Sequence, residues 1–303
     1  MFDLIIIGGG PAGMTAGVYA GRKMLKTLML TESIGGKVSW SMWVENYLGY
    51  QYIPGAELVE KFKEHLENFN IEREFSHVVG LSKIDGGFVV NTKEGENYEG
   101  KAIIIATGRT QRKLSIPGED IFLGRGVSYC VTCDGPLFKG KDVVVIGEGD
   151  SALGAALQLS KISGLVRMVS RGPLKGNEVI QRKVKDIQNI KFYINYEPVE
   201  IKGDGVVSGL VIQDKKSKQN TRVLVEGIFI EIGSVPVSVF AKDLVETNER
   251  GEIKVSCRCE TSALGIFAAG DVTDAPEKQI IVAAGDGAKA TLSACKYLST
   301  LPD

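Results

Sequence analysis

Histidine is nearly absent: His65 and His77 are the only two in 303 residues. His65 falls in an amphipathic stretch and His77 opens a strand, neither beside a motif, so a cysteine–histidine hydrolase is a poor fit. An excess of one charge is also missing. The chain has 36 basic and 37 acidic residues, a formal net charge of −1, and so lacks the electrostatic footprint of a nucleic-acid binder. No run approaches the ~20 apolar residues that span a bilayer. Met1-Phe2-Asp3 enters an apolar run without a basic leader, and a cytoplasmic protein is expected, with no membrane partner. Five cysteines do not make a disulfide scaffold; in a reducing compartment a close pair points to catalysis or metal binding.

One pattern occurs twice. Leu4 to Ile7 reads as a buried strand, Gly8-Gly9-Gly10-Pro11-Ala12-Gly13 follows, and a helix of small residues runs to about Arg22. Val143 to Ile146, Gly147-Glu148-Gly149-Asp150-Ser151-Ala152 and a helix to about Lys161 repeat the order. Each is a βαβ unit with a dinucleotide fingerprint at its first turn. The first glycine permits the tight turn, the second lets backbone approach a pyrophosphate, and the third position lets helix and strand pack closely. The pyrophosphate lies at the helix N-terminus. Strands at Ile103 to Ile105 and at Ile266 to Ala269 lie on either side of the second pattern, so the expected fold is α/β with two nested Rossmann-like dinucleotide-binding domains, the second inserted into the first. The expected boundaries are 1–112 with 240–303, and 117–237. Val59, Phe62, Leu66 and Phe69 share one face of a helix.

Cys130-Val131-Thr132-Cys133-Asp134 lies between the inner domain's start and its fingerprint strand. Cysteines at this spacing form a small reactive disulfide whose thiol pKa the surroundings tune. Asp134 adds a carboxylate able to give or take a proton. The competing reading is zinc, but the other pair, Cys257 and Cys259, has a gap too short for a Cys₄ site, so no metal is expected. Cys257 and Cys259 read as an exposed strand end, and Cys295 as a small core residue of the last helix.

Gly8-x-Gly10-x-x-Gly13, Val44-Glu45-Asn46-Tyr47, Ala106-Thr107-Gly108, Cys130-x-x-Cys133-Asp134, Phe267-Ala268-Ala269-Gly270-Asp271, Lys278-Gln279-Ile280 and Gly285-x-Gly287-Ala288 resemble, in order and spacing, the low-molecular-weight thioredoxin reductases. The C-terminal third also resembles the flavoprotein component of alkyl hydroperoxide reductase. The resemblance implies FAD on the outer domain, held by Gly8, Gly10, Pro11, Ala12, Gly13, Gly36, Thr107, Gly108, Gly270 and Ile280. It implies that Asp271 bonds the flavin ribitol and that Asn46 and Gln279 approach the flavin. Glu32, about twenty residues past the fingerprint, is placed to bond the adenosine ribose. Lys37 departs from the glutamine common in the family, and Trp40 and Trp43 either shield the cofactor or pack the core. The resemblance further implies a homodimer, a thioredoxin-like partner, and an inner domain that rotates between two positions.

The inner domain of such reductases binds NADPH, and here the motif is damaged. Gly147, Gly149 and Ser151 remain, but Glu148 and Asp150 put two acids in the phosphate loop, where the first fingerprint has none. Two like charges about 4 Å apart cost up to roughly 4 kcal/mol at an effective dielectric near 20. Asp150 is also placed to cap the helix itself. Of the basic cluster that reads a 2′-phosphate only Arg171 is in place, with Lys175 nearby, and Ser170 is not the acid that an NADH site wants. The resemblance extends to reductases with degraded nucleotide motifs that draw on ferredoxin, which makes reduced ferredoxin the expected donor; about −400 mV against about −270 mV for thioredoxin releases roughly 6 kcal/mol for two electrons. The alternatives are a conventional NADPH-dependent thioredoxin reductase using Arg171 and Lys175, a dithiol oxidase, and a non-catalytic flavin redox sensor.

Overall fold

The computed structural model describes residues 1–41 and 44–302. Trp43 lies outside these residues and the side chain of Trp40 is not described, so the shielding expected of the two tryptophans falls outside the described structure. The chain divides into two units, one of residues 1–39, 47–110 and 235–303 and one of 40–46 and 111–234.

The first unit opens with β1 (Phe2–Gly9), α1 (Pro11–Arg22) and β2 (Thr27–Ile34). It continues through α2 (Gly55–Glu67), β3 (Glu72–Phe75), β4 (Val78–Ile84), β5 (Gly87–Thr92), β6 (Asn97–Ile105) and β7 (Arg109–Gln111). The second holds β8 (Val127–Ser128), α3 (Val131–Asp134), β9 (Val143–Ile146), α4 (Asp150–Ser160), β10 (Val166–Ser170), α5 (Glu178–Lys185) and β11 (Ile190–Ile194). Strands β12 (Tyr196–Asp204), β13 (Val206–Asp214), β14 (Asn220–Val223) and β15 (Gly227–Ile230) complete it. The chain returns through β16 (Ser234–Pro236), which pairs with β7, and ends in β17 (Ile266–Ala268) and α6 (Ile280–Leu298).

Both units answer the same packing problem in the same way. In β1 every second residue, Leu4 and Ile6, faces a core shared with Met14 and Ala16 of α1, Leu66 of α2 and Ala290 of α6. The residues between, Ile5 and Ile7, face a second core with Leu81 of β4, Phe88 and Val90 of β5, and Val245. A strand covered on both faces must be apolar at consecutive positions, which is why Leu4-Ile5-Ile6-Ile7 shows no alternation. The parallel order is β3-β2-β1-β6; the far edge of β6 pairs first with β5, antiparallel, and then with β17, parallel. In the second unit, Val143 and Val145 of β9 face α4 with Leu153 and Ala156, while Val144 and Ile146 face the antiparallel strands with Leu210 and Ile212. Its parallel sheet runs β11-β10-β9-β15-β8 and its antiparallel sheet β12-β13-β14. Lys215, Lys216 and Lys218 form the exposed turn between β13 and β14.

Two expectations are corrected. Cys257 and Cys259 sit in a turn, not at a strand end: Cys257 is exposed, Cys259 is buried with φ +62°, and the Cys259 amide donates to Ser256 O at 2.9 Å. Cys295 is half-buried, not a core residue. Helix α2 does bury Leu58, Val59 and Leu66, with Phe62 and Phe69 packed beside them.

Candidate active site

In the first unit, strand ends and helix starts converge on the first glycine loop. A Cβ on Gly8 would lie 2.3 Å from the Ala106 carbonyl oxygen, so only glycine lets β1 pass β6 there. Gly10 is the N-cap of α1, with nothing within 4 Å of where its Cβ would be, and no acid stands in the first helical turn. The α1 amides therefore face open space without a competing carboxylate, which fits an anionic dinucleotide such as FAD. Around this opening, a Gly36 Cβ would lie 3.4 Å from Gly10 Cα and a Gly270 Cβ 3.1 Å from Ala12 Cβ. Pro11 opens α1, and Gly13 is locked in place, since a Cβ would lie 1.8 Å from Gly8 O. Thr107 donates its hydroxyl to Val237 O at 2.6 Å, and Gly108 takes φ +67°. Lys37 Nζ lies 3.0 Å from Asp271 Oδ2, so the residue that departs from the family pattern pairs with the expected ribitol ligand. Glu32 is exposed and contacts His77 Nδ1 at 2.6 Å. Gln279 caps α6 and Ile280 begins it. Asn46 is exposed and belongs to the 40–46 segment of the second unit.

The cysteine pair is closed: Cys130 and Cys133 form a disulfide with Cα atoms 5.3 Å apart. Cys130 is the N-cap of α3, and its Sγ accepts from the Cys133 amide at 3.2 Å. Ser128, the last residue of β8, organises the turn. Its Oγ accepts from the Cys130 amide at 3.0 Å and donates to Asp134 Oδ2 at 2.6 Å. Asp134 Oδ1 is buried and has no hydrogen-bond partner among the described residues. Burial raises the Asp134 pKa, and the Ser128 hydrogen bond only partly opposes it. A carboxyl that takes up a proton readily, adjacent in the chain to Cys133, suits proton exchange with a dithiol.

The second glycine loop is crowded with carboxylates. Glu148 pairs with Lys175, whose amide also donates to Glu148 O at 2.6 Å. Asp150 does not cap α4; Gly149 is the N-cap, and Asp150 Oδ1 instead accepts from the Asn177 amide at 2.7 Å. A third acid, Glu231, follows β15. Its carboxylate accepts from the Ser151 hydroxyl, and burial raises its pKa against that hydrogen bond. Gly147 lets the Glu231 backbone through, since a Cβ would stand 2.4 Å from Glu231 O. At the end of β10, the Ser170 hydroxyl donates to Gly172 O at 2.7 Å, and Arg171 is exposed.

Sequence reasoning missed Ser128, His77 and Glu231 as site residues. His77 and Glu231 follow strands in stretches without motif and find their partners far along the chain, whereas Ser128 stands two residues before the cysteine motif and bonds within it; only the rule that ligands gather at the carboxyl ends of parallel strands pointed there. Among the described residues no group of three or more His, Cys, Asp or Glu could hold a metal ion, and no helix is long and apolar enough to cross a membrane.

Comparison with known proteins gives a consistent result. The profile of the family described as "Pyridine nucleotide-disulphide oxidoreductase" matches residues 2–287. One component of the alkyl hydroperoxide reductase of Pseudomonas aeruginosa is 40% identical over 303 residues, covering 98% of this chain and 58% of that protein. The chain thus spans under two thirds of the length of such relatives. The thioredoxin reductase of Streptococcus pyogenes superposes with a TM-score of 0.95 at 38% identity, 99% of each chain covered. That of Giardia duodenalis gives 0.91 at 34% identity, again with 99% of each covered. With its two Rossmann-like sheets and its Cys-x-x-Cys disulfide, the chain belongs to the pyridine nucleotide–disulphide oxidoreductase family and is thioredoxin reductase-like.

Proposed function

We propose that this chain is an FAD-dependent reductase of a thioredoxin-like protein disulfide, fed by reduced ferredoxin instead of NADPH, and that it works as a cytoplasmic homodimer. The observation that carries the donor assignment is the set of three carboxylates, Glu148, Asp150 and Glu231, around the second glycine loop, against none in the first turn of α1. Lys175, the second cation that a conventional 2′-phosphate site would need, is engaged by Glu148. FAD, held by the first loop with Gly36, Gly270 and Asp271 beside it, supplies a two-electron carrier. The chain's own residues do the rest. The Cys130–Cys133 bond takes up two electrons and two protons and opens to a dithiol, with Asp134 placed to hold and release one of the protons. One thiolate then attacks the partner's disulfide to form a mixed disulfide. The second thiol displaces the partner, which leaves with two electrons and two protons, and the Cys130–Cys133 bond re-forms.

Gly147, Gly149, Ser151 and the exposed Arg171 favour one competing reading, a conventional NADPH-dependent enzyme. Anaerobic bleaching of the flavin distinguishes them. With NADPH, then NADH, then chemically reduced ferredoxin, only ferredoxin is expected to bleach it, and oxidised thioredoxin then restores the colour. Prompt bleaching by NADPH would overturn the donor assignment and leave the disulfide chemistry standing.

A further inference from the structure

Strand β8 is an edge strand of two residues, and its pairing with β15 ends at Ser128. The redox turn begins two residues later, beyond that ladder, and a side chain supplies the hold that the ladder does not. The Tyr129 hydroxyl donates to Glu119 Oε1 at 2.6 Å. Glu119 is 2% exposed, the most buried acid among the described residues. It also accepts from the Leu114 amide at 3.0 Å and, through Oε2, from the Ser115 amide at 2.7 Å. The cation next to Leu114 in the chain, Lys113, pairs instead with Asp120 at 2.6 Å. The turn that carries Glu119 is itself fixed to the antiparallel sheet. The Ile201 amide of β12 donates to Pro117 O at 2.9 Å, and a Cβ on Gly118 would lie 2.4 Å from Ile201 O. A buried carboxylate is costly unless hydrogen bonds answer it. Here one of the answering groups belongs to the residue joined to Cys130.

We propose that Tyr129 and Glu119 are positioning residues for the Cys130–Cys133 pair: their hydrogen bond anchors the chain as it enters the turn, so that the two sulfurs stay placed for closure after reduction has parted them. The proposal rests on the reading of Cys130–Cys133 as redox-active and is indifferent to the electron donor. The effect has a direction. In the oxidised state the disulfide itself restrains the turn, with Cα atoms 5.3 Å apart, and the anchor adds little. In the dithiol state that restraint is gone, and the anchor limits how far Cys130 can move from Cys133. An anchored dithiol has less conformational freedom to lose on closing, which favours the disulfide. Loosening the anchor therefore stabilises the dithiol and makes the pair easier to reduce. Burial, and then the bond to Glu119, raise the Tyr129 pKa, so the phenol keeps its proton at neutral pH. An anchor of this kind, unlike a charge, survives a change of carboxylate to carboxamide, because a phenol can donate to the amide oxygen or accept from the amide nitrogen.

The test uses the flavin-loaded protein without oxygen and reads its equilibrium with dithiothreitol, which gives two electrons and two protons to the Cys130–Cys133 bond and closes to its own cyclic disulfide. The open fraction is trapped by alkylation and measured by mass. Tyr129→Phe removes the anchor and leaves the Leu114 and Ser115 bonds in place. It is expected to shift the equilibrium about fivefold toward the dithiol, the worth of roughly one hydrogen bond. Glu119→Gln loses the charge and an acceptor for backbone but keeps a partner for the phenol. It is expected to lower the melting temperature and to leave the equilibrium within about twofold of wild type. A merely structural role would lower the melting temperature of both variants and move the equilibrium of neither. A wild-type equilibrium in Tyr129→Phe therefore overturns the proposal, as does an equal shift in both variants. Hydrogen exchange on the reduced wild-type protein needs no variant. The Cys130 and Asp134 amides, bonded to Ser128 Oγ and Cys130 O, are expected to stay protected. Free exchange there overturns the proposal even if Tyr129→Phe does not fold. If dithiothreitol fails to open the pair in the wild-type protein, the underlying reading of the motif has failed instead.

Discussion

Asp134, proposed to exchange a proton with the dithiol, stands apart at the scale of single atoms. Its buried Oδ1 has no partner among the described residues and its pKa is raised by burial, so the folded state disfavours its ionised form. The sign of its effect on stability follows. A raised folded pKa favours folding below the unfolded value, and that contribution is lost as pH rises through the folded value. Asp134→Asn does not ionise, so its melting temperature relative to wild type should rise as pH increases from about 4 through the raised folded value of Asp134. Turnover with a protein disulfide should fall about 100-fold, the typical worth of a general acid–base. Calorimetry across that range and steady-state kinetics check the two halves. A variant that melts lower and turns over normally would make Asp134 structural. The pair of half-buried Arg109 and buried Glu252 at 2.5 Å is a useful contrast. Burial alone would raise Glu252, yet Asn248, Lys278 and Arg109 together hold its pKa below the ordinary value. The Glu252 carboxylate is held ionised by its partners, whereas burial outweighs the one partner of Asp134.

At the scale of elements, the two glycine loops look alike in sequence and differ in what surrounds them. The strands, loops and helices of both βαβ units were legible because strands buried on both faces leave continuous apolar runs, as Leu4 to Ile7 and Val143 to Ile146 do. The redox motif was legible because its spacing closes a disulfide within a single turn. Glu231 was not, because its one side-chain partner, the Ser151 hydroxyl, lies 80 residues away. The turn at Cys257 and Cys259 was misread for a related reason: the left-handed backbone at Cys259 is unusual for a residue other than glycine, and only its neighbours hold it. The close contact of α1 and α6 gives an element-scale prediction. A Cβ on Gly287 would stand 2.1 Å from the Ala12 carbonyl oxygen, and backbone does not yield as a side-chain tip does. Gly287→Ala should push α6 off α1, lower stability by roughly 1–3 kcal/mol, and release flavin, because Ala12 and Gly13 belong to the first loop. Urea unfolding and flavin retention on gel filtration measure both. Gly149→Ala, at a position with nothing within 4 Å of the new Cβ, should leave flavin content unchanged.

For the whole molecule the question is which donor feeds the disulfide, and the charges of the second unit offer a way to change the answer. Glu148 withholds Lys175 and adds its own charge to the loop; Asp150 adds another in the first turn of α4. Each carboxylate opposes a pyrophosphate at close range, where about 1.4 kcal/mol is worth tenfold in affinity. Replacing Glu148 and Asp150 by serine removes both charges, frees Lys175 and leaves the glycines in place. The double variant is expected to bind NADPH at least tenfold more tightly than the parent and to bleach more readily with it, whereas bleaching by reduced ferredoxin should stay within about twofold. Added salt separates charge from shape. Above about 0.5 M the Debye length falls toward 3–5 Å, so any NADPH reaction of the parent should strengthen with salt while that of the variant weakens. Titration calorimetry with NADPH at two salt concentrations reads this directly. A double variant that binds NADPH no better than the parent would place the block in the ribose readers missing around Ser170, where Arg171 alone is in place, and not in the carboxylates of the loop.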